Sequence, residues 1–282
     1  MSAYDNLNGI VRARRAVGRS LIAALSTLEG NWSEIELSQA WMLQLRKETT
    51  ILPFGWYQPP PCGMTVLIGN PSLYDRLSYQ SLRHPENFPS GYLFEDESIL
   101  YAYFSAVDKS TLMIGDQVGT FYKGNNNSIK SWISEAYSTV KRISCLPKHD
   151  MLYSDFFHLT NEILSNIGAK NNTFSISGGL ASDVGHSIPF FSEPDRKLDW
   201  SYHSQEEICN IISGGRAFIG PKNRDRMTSP CAFTIEPQMI VDGMPMASFH
   251  MIISIIDGDV VVIDEFQDIF QYFGMDHWIN IQ

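Results

Sequence analysis

Apolar residues along the first fifty positions fall at helical spacing. Val17, Leu21, Leu25 and Leu28 recur every three or four residues and predict a helix over 10–28. A second helix has a defined start, because Ser33 and Glu36 have the spacing of a capping box and Trp41 and Leu45 follow one turn apart on an apolar side. Both are expected to be outer helices packed on a sheet. After Pro53 the pattern changes. Pro59, Pro60 and Pro61 exclude a helix interior, and MTVLIG reads as a short strand. Residues 71–97, rich in Pro, Tyr, Arg and Asn, predict a structured surface excursion suited to an active-site loop or a partner surface. SILYAYF (98–104) and QVGTFYKG (117–124) read as strands around a charged turn. Ile129, Trp132, Ile133, Ala136, Val140 and Ile143 form a broad stripe for a helix over 128–143, and Phe157, Ile163, Leu164 and Ile167 for another over 154–167.

The second half has a different period. CAFTIEP is a strand ending at Glu236 and Pro237, and ASFHMIISII and DVVVIDEF flank Asp257-Gly258, a strong hairpin signal. In the first of these strands His250, Ile252, Ser254 and Ile256 share one face. No polar run is long enough for an interdomain linker and no internal repeat is convincing. The expectation is an α/β (α+β) fold forming a single domain over 1–282, with a curved antiparallel sheet flanked by helices.

Charge narrows the partners. Lys and Arg total 21 against 31 Asp and Glu, a net charge of −10. Such a chain is not expected to bind nucleic acid or an anionic membrane surface, because phosphate contacts need a basic face. No apolar run approaches the roughly 18 residues of a spanning helix, and the start MSAYDNLNGIVRARR does not have the form of a secretory signal. Cys62, Cys145, Cys209 and Cys231 are far apart and form no CxxC pair, which points to reduced thiols and a cytoplasmic setting.

The candidate chemistry is a set of acids and one imidazole with apolar neighbours: Asp116 in MIGDQVGT, His186 in VGHSIPF and Glu236 in FTIEP. Converged, they can hold a borderline metal ion or perform metal-free proton transfer, a carboxylate orienting the imidazole. Each also has a structural reading: Asp116 as a turn cap, His186 hydrogen-bonded inside a tight turn, and Glu236 as a strand terminator. His250 is on balance a structural strand histidine, and Asp264 and Glu265, at a strand end, are expected to be solvent-exposed. Cys62 has no neighbouring histidine to support a nucleophile. Tyr101, Tyr103, Phe104, Phe121 and Tyr122 suit either a substrate pocket or a sheet core. Arg83, Arg216, Arg224 and Arg226 are candidates to grip a carboxylate, none singled out. GxGxxG and GxxxxGK[ST] phosphate loops are absent from the sequence.

In this order, GHSI at 185–188, FTIEP at 233–237, the helical WISEAYSTV at 132–140 and the terminal hairpin resemble the methionine aminopeptidase, aminopeptidase P, prolidase and creatinase superfamily. The resemblance extends over nearly the whole chain and implies the pita-bread fold. Metal-dependent members hold two ions with two aspartates, one histidine and two glutamates. By resemblance His186 is that histidine, Glu236 the first glutamate and Asp116 the second aspartate. The first aspartate is missing from SILYAYF and its flank, and Phe249 or His250 stands near the place of the last glutamate.

A degenerate dinuclear site of this kind implies something other than ordinary aminopeptidase chemistry. The creatinase branch works without metal through the family histidine. The expectation is therefore a metal-independent enzyme, with no cofactor, acting on a C–N bond of a small amide-, peptide- or guanidino-containing substrate. His186 is its general acid/base, assisted by Glu236 and Asp116. The alternatives are a mononuclear metal-dependent hydrolase, with one divalent ion on Asp116, His186, Glu236 and His250, and a noncatalytic peptide- or protein-binding pseudoenzyme. A homodimer is compatible with each.

Overall fold

The first helix begins earlier than its leucines suggest. In the computed structural model, which describes residues 2–172, 183–190 and 203–279, α1 spans Ala3–Leu25, started by a Ser2–Asp5 capping box that apolar spacing alone does not reveal. Leu28 therefore lies past the helix end. The chain continues through β1 (Trp32–Ser33) into α2 (Glu34–Leu45), where the expected Ser33–Glu36 box is formed. It then forms β2 (Thr65–Gly69), two short 3-10 turns at Tyr74–Leu77 and Pro85–Asn87, β3 (Leu93–Phe94), β4 (Ser98–Val107) and β5 (Ile114–Lys123). Helices α3 (Asn127–Ser144) and α4 (Tyr153–Asn166) follow, then β6 (Lys170–Asn171), β7 (Ser187–Ile188) and α5 (Gln205–Gly214). The chain closes with β8 (Cys231–Ile235), β9 (Gln238–Ile240), β10 (Ala247–Ser248), β11 (Met251–Ile256), β12 (Asp259–Ile263) and α6 (Gln267–Tyr272).

Two antiparallel sheets organise these elements, ordered β2-β4-β5 and β12-β11-β8-β7, with smaller β10-β9-β6 and β1-β3 groups beside them. Helix α1 packs on β4, β5 and α2, and α3 packs on β11 and α4. Strand alternation sorts the side chains of β4: Phe104 goes to Trp41 of α2, while Tyr101 and Tyr103 point to the opposite face, toward Tyr79 and Tyr57. Of the five aromatics left open by sequence, Phe104 and Phe121 are core residues, and the Tyr122 hydroxyl bonds Glu97. The sheets meet where His250 N–H donates to the Val118 carbonyl (3.0 Å) and Ser248 N–H donates to Thr120 Oγ1 (2.9 Å).

The expected strand ASFHMIISII is interrupted. It divides into β10 and β11, and across the break the sides still alternate, Phe249 entering the cluster of Tyr137, Phe266 and Phe270 while His250 turns to the opposite side. Asp264 and Glu265 are not free in solvent, as their strand-end position suggested. Asp264 accepts from the Tyr137 hydroxyl (3.1 Å), and Glu265 pairs with Arg15 (3.0 Å). The excursion over 71–97 is structured, as expected. It is anchored by Glu34, a carboxylate of zero exposure that pairs with Arg76 (2.8 Å) and accepts from Ser90 N–H (2.8 Å) and Ile68 N–H (2.6 Å). None of the helices among the described residues is long and apolar enough to cross a membrane.

Candidate functional site

Residue positions follow from the strands that carry them. Asp116 lies inside β5, opposite Ser105 of β4, and is 1% exposed, so the turn-cap reading does not hold. His186 precedes β7 on a segment held from both sides. Its N–H donates to Thr234 Oγ1 (3.0 Å) and its carbonyl accepts from Thr234 N–H (2.8 Å), while Ser187 N–H donates to the Ala217 carbonyl (2.7 Å) on the other side. Gly185 permits this approach, because a Cβ there would collide with the Thr234 carbonyl. Glu236 follows the last residue of β8, and His250 lies in the break before β11.

These side chains converge. One ligand atom from each of Asp116, His186 and Glu236 lies within 4.8 Å of the others. His186 Nε2 is 3.3 Å from Asp116 Oδ2, and Trp56 Nε1–H donates to Asp116 Oδ1 at 2.5 Å. His250 Nδ1 is 3.2 Å from Glu236 Oε2 but has no hydrogen-bond partner, so the two atoms are close without being aligned. His250 is thus part of the cluster rather than a half-buried strand residue. Of the four arginines, Arg83 and Arg216 stand next to this site, Arg226 pairs with Asp150 (3.0 Å), and Arg224 is exposed.

The shared hollow is narrow, with about 40 Å³ for water centres. That is room for a few waters at most. Its walls include Trp56, Tyr57, Tyr79, Tyr101 and Tyr103. Asp183 lines it as well, a residue that sequence reasoning passed over although it begins DVGH. Trp56, Tyr57 and Tyr79 were missed too. FGWY before a proline run marks aromatics on a loop that no core periodicity claims, but nothing in that string assigns them to Asp116. Gly55 allows this loop to lie on Ser105, whose hydroxyl donates to the Tyr57 carbonyl (2.7 Å).

Burial and mutual charge set the protonation states. Burial pushes Glu236 up to about 7 against the pull of His186, and Asp183 up to about 6. For His186 burial opposes the charged form, but Glu236 and Asp116 outweigh it and raise its pKa above the ordinary value. Burial holds His250 well below the usual imidazole range, with Arg14 and His186 adding to the effect. His186 Nδ1 lies 3.0 Å from the Ser187 carbonyl, which can only accept, so Nδ1 carries a proton and Nε2, facing Asp116 Oδ2, is the atom that gains or loses one.

No protein-family model matches the sequence, and a comparison with curated proteins found no match. Solved structures are similar in fold. X-Pro aminopeptidase from Thermotoga maritima superposes with a TM-score of 0.63 at 12% identity, over 92% of this chain and 60% of that one. Prolidase from Pyrococcus furiosus gives 0.60 at 12%, over 92% and 63%. Methionine aminopeptidase from Thermotoga maritima gives 0.59 at 12%, over 92% and 96%. The chain thus spans about 60% of the length of the first two and nearly all of the third. The fold is the pita-bread fold.

Proposed function

We propose that this chain is a metal-independent enzyme acting on a C–N bond of a small amide-, peptide- or guanidino-containing substrate, with His186 as general acid/base. The observation that carries this reading is the meeting of Asp116, His186 and Glu236 within 4.8 Å in one narrow hollow. Neutral His186 takes a proton at Nε2 from an attacking water, and the resulting hydroxide adds to the carbon of the C–N bond. The imidazolium that forms is stabilised by Asp116 and Glu236, the two carboxylates that raise its proton affinity. As the C–N bond breaks, Nε2 returns the proton to the departing nitrogen. Tyr101 and Tyr103, buried and held neutral, line the hollow, with the Tyr101 hydroxyl paired to that of Tyr79.

The pair of ions implied by the family resemblance does not fit this donor set. Opposite Asp116 stands Ser105, its hydroxyl committed to Tyr57, and the residue nearest the place of the last glutamate is His250. A single divalent ion is the second reading, favoured by the same three converging donors. Asp116, His186 and Glu236 would hold it, with His250 beside Glu236, and it would supply polarisation of the substrate carbonyl.

Native mass spectrometry for a retained ligand, combined with metal analysis, identifies the substrate class. With that compound, His186→Ala is expected to lose turnover by about 10²-fold or more while remaining folded, in protein free of stoichiometric metal. Retention of the wild-type rate by His186→Ala would refute the acid/base role. Dependence on one equivalent of divalent ion would favour the second reading. Ligand retention by both proteins, with turnover by neither, would leave a binding protein.

A further inference from the structure

Strand β12 ends its sheet. It pairs with β11 in the order β12-β11-β8-β7, and among the described residues no strand lies beyond it. The loop between the two strands is Asp257-Gly258, both at positive φ (53° and 91°), a two-residue turn that makes Ile256 and Asp259 a hydrogen-bonded pair. Asp259, Val261 and Ile263 therefore turn their N–H and C=O groups to β11, and Val260 and Val262 turn theirs outward. Those outward groups have no hydrogen-bond partner among the described residues.

Edges of natural sheets are commonly blunted by lysine, proline, a bulge or a covering segment, which prevents pairing with another chain. DVVVI has no lysine or proline, its register with β11 is unbroken, and Val260 and Val261 are each 36% exposed. Uncompensated charge lies at one end only. Asp257 and Asp259 are exposed, and neither pairs with a cation among the described residues. The exposed ring of Tyr4 stands beside them, its hydroxyl 3.4 Å from Asp257 Oδ2. At the other end Asp264 and Glu265 are engaged by Tyr137 and Arg15. A second copy of the chain fits this edge badly. Twofold pairing centred on Val261 would set Asp257 opposite Glu265, between molecules that each carry a net charge of −10. An extended segment with a cation at the end that reaches the turn satisfies both the open backbone groups and the unpaired acids.

We propose that the outer edge of β12 takes an extended basic peptide segment as an added strand, its backbone bonded to Val260 and Val262 and its lysine or arginine set against Asp257 and Asp259. None of these residues lines the hollow, so the surface is independent of the chemistry read there. The test is NMR titration of the whole protein at low ionic strength with acetyl-KVTVTK-amide and acetyl-EVTVTE-amide. The two peptides differ in the sign of their end charges and carry them at both ends, so strand direction is immaterial. The lysine peptide is expected to bind about tenfold more tightly, with the amide signals of Val260 and Val262 shifting most. Asp259→Lys, a change at an exposed side chain, should remove that preference. Val260→Pro, which deletes an outward N–H and leaves the bonds to β11, should weaken binding of the lysine peptide. Equal affinity for the two peptides, binding by neither, shifts confined to residues outside β12, or a preference unchanged in Asp259→Lys would overturn the proposal. A dimer in sedimentation that Val260→Pro dissociates would overturn it too, by giving the edge to a second copy.

Discussion

Glu236 places a proton where an unfolded chain would release one. Its pKa is 4.5 in the open chain and about 7 in the fold, so the folded protein binds the proton more tightly. Its contribution to stability is therefore fully present below about pH 4.5 and is lost as pH rises through about 7. Asp183, moving from 3.8 to about 6, acts in the same direction. Glu236→Gln is thus expected to gain stability over the wild type at pH 8 but not at pH 4, by a few degrees of melting temperature. Thermal unfolding at the two pH values checks this, and equal shifts would contradict it. The acids and the imidazole were legible in sequence because polar residues inside apolar strands need a reason. Asp183 and Trp56 were not, since neither breaks a periodic pattern. Their place is set by contacts across the fold, Trp56 on Asp116 and Asp183 beside His186.

At the scale of elements, the site depends on how closely its segments can approach. Gly185 lies against the Thr234 carbonyl, so Gly185→Ala must push the His186 segment off β8. A destabilisation of about 1–3 kcal/mol is expected, read by denaturant unfolding, together with loss of any activity. Arg14 of α1 is the other fastening. Fully buried, it donates to the backbone carbonyls of Asp116, His250 (2.8 Å) and Asp264 (2.6 Å), tying β5, the break before β11 and the end of β12 to one side chain. Arg14→Met removes these bonds and should cost about 3 kcal/mol or more, because buried carbonyls are left without donors. An Arg14→Met protein as stable as the wild type would show that the guanidinium does not fasten these strands. Helix existence was legible from spacing and capping chemistry, whereas α5 escaped notice although Ser204 and Glu207 form its capping box. The division of the last strand pair at Phe249 and His250 was also hidden. Alternation puts Phe249 and His250 on opposite sides, but not what each meets there, since one packs among aromatics and the next turns to Glu236.

For the whole molecule, the order of motifs carried more than any one of them. GHSI, FTIEP and the closing hairpin led to the fold that the solved structures share, at identities of only 12%. Sequence spacing could not establish convergence, because Asp116, His186 and Glu236 are brought together by two sheets joined through Val118–His250 and Thr120–Ser248 contacts. The central claim is that these three side chains act as one acid–base unit. Nitrogen-15 NMR titration of the histidine rings tests it most directly. His186 should titrate above the ordinary imidazole value, and its midpoint should fall in Asp116→Asn, as expected when a neighbouring charge is removed. A His186 that titrates at or below that value and is unmoved by Asp116→Asn would contradict the claim.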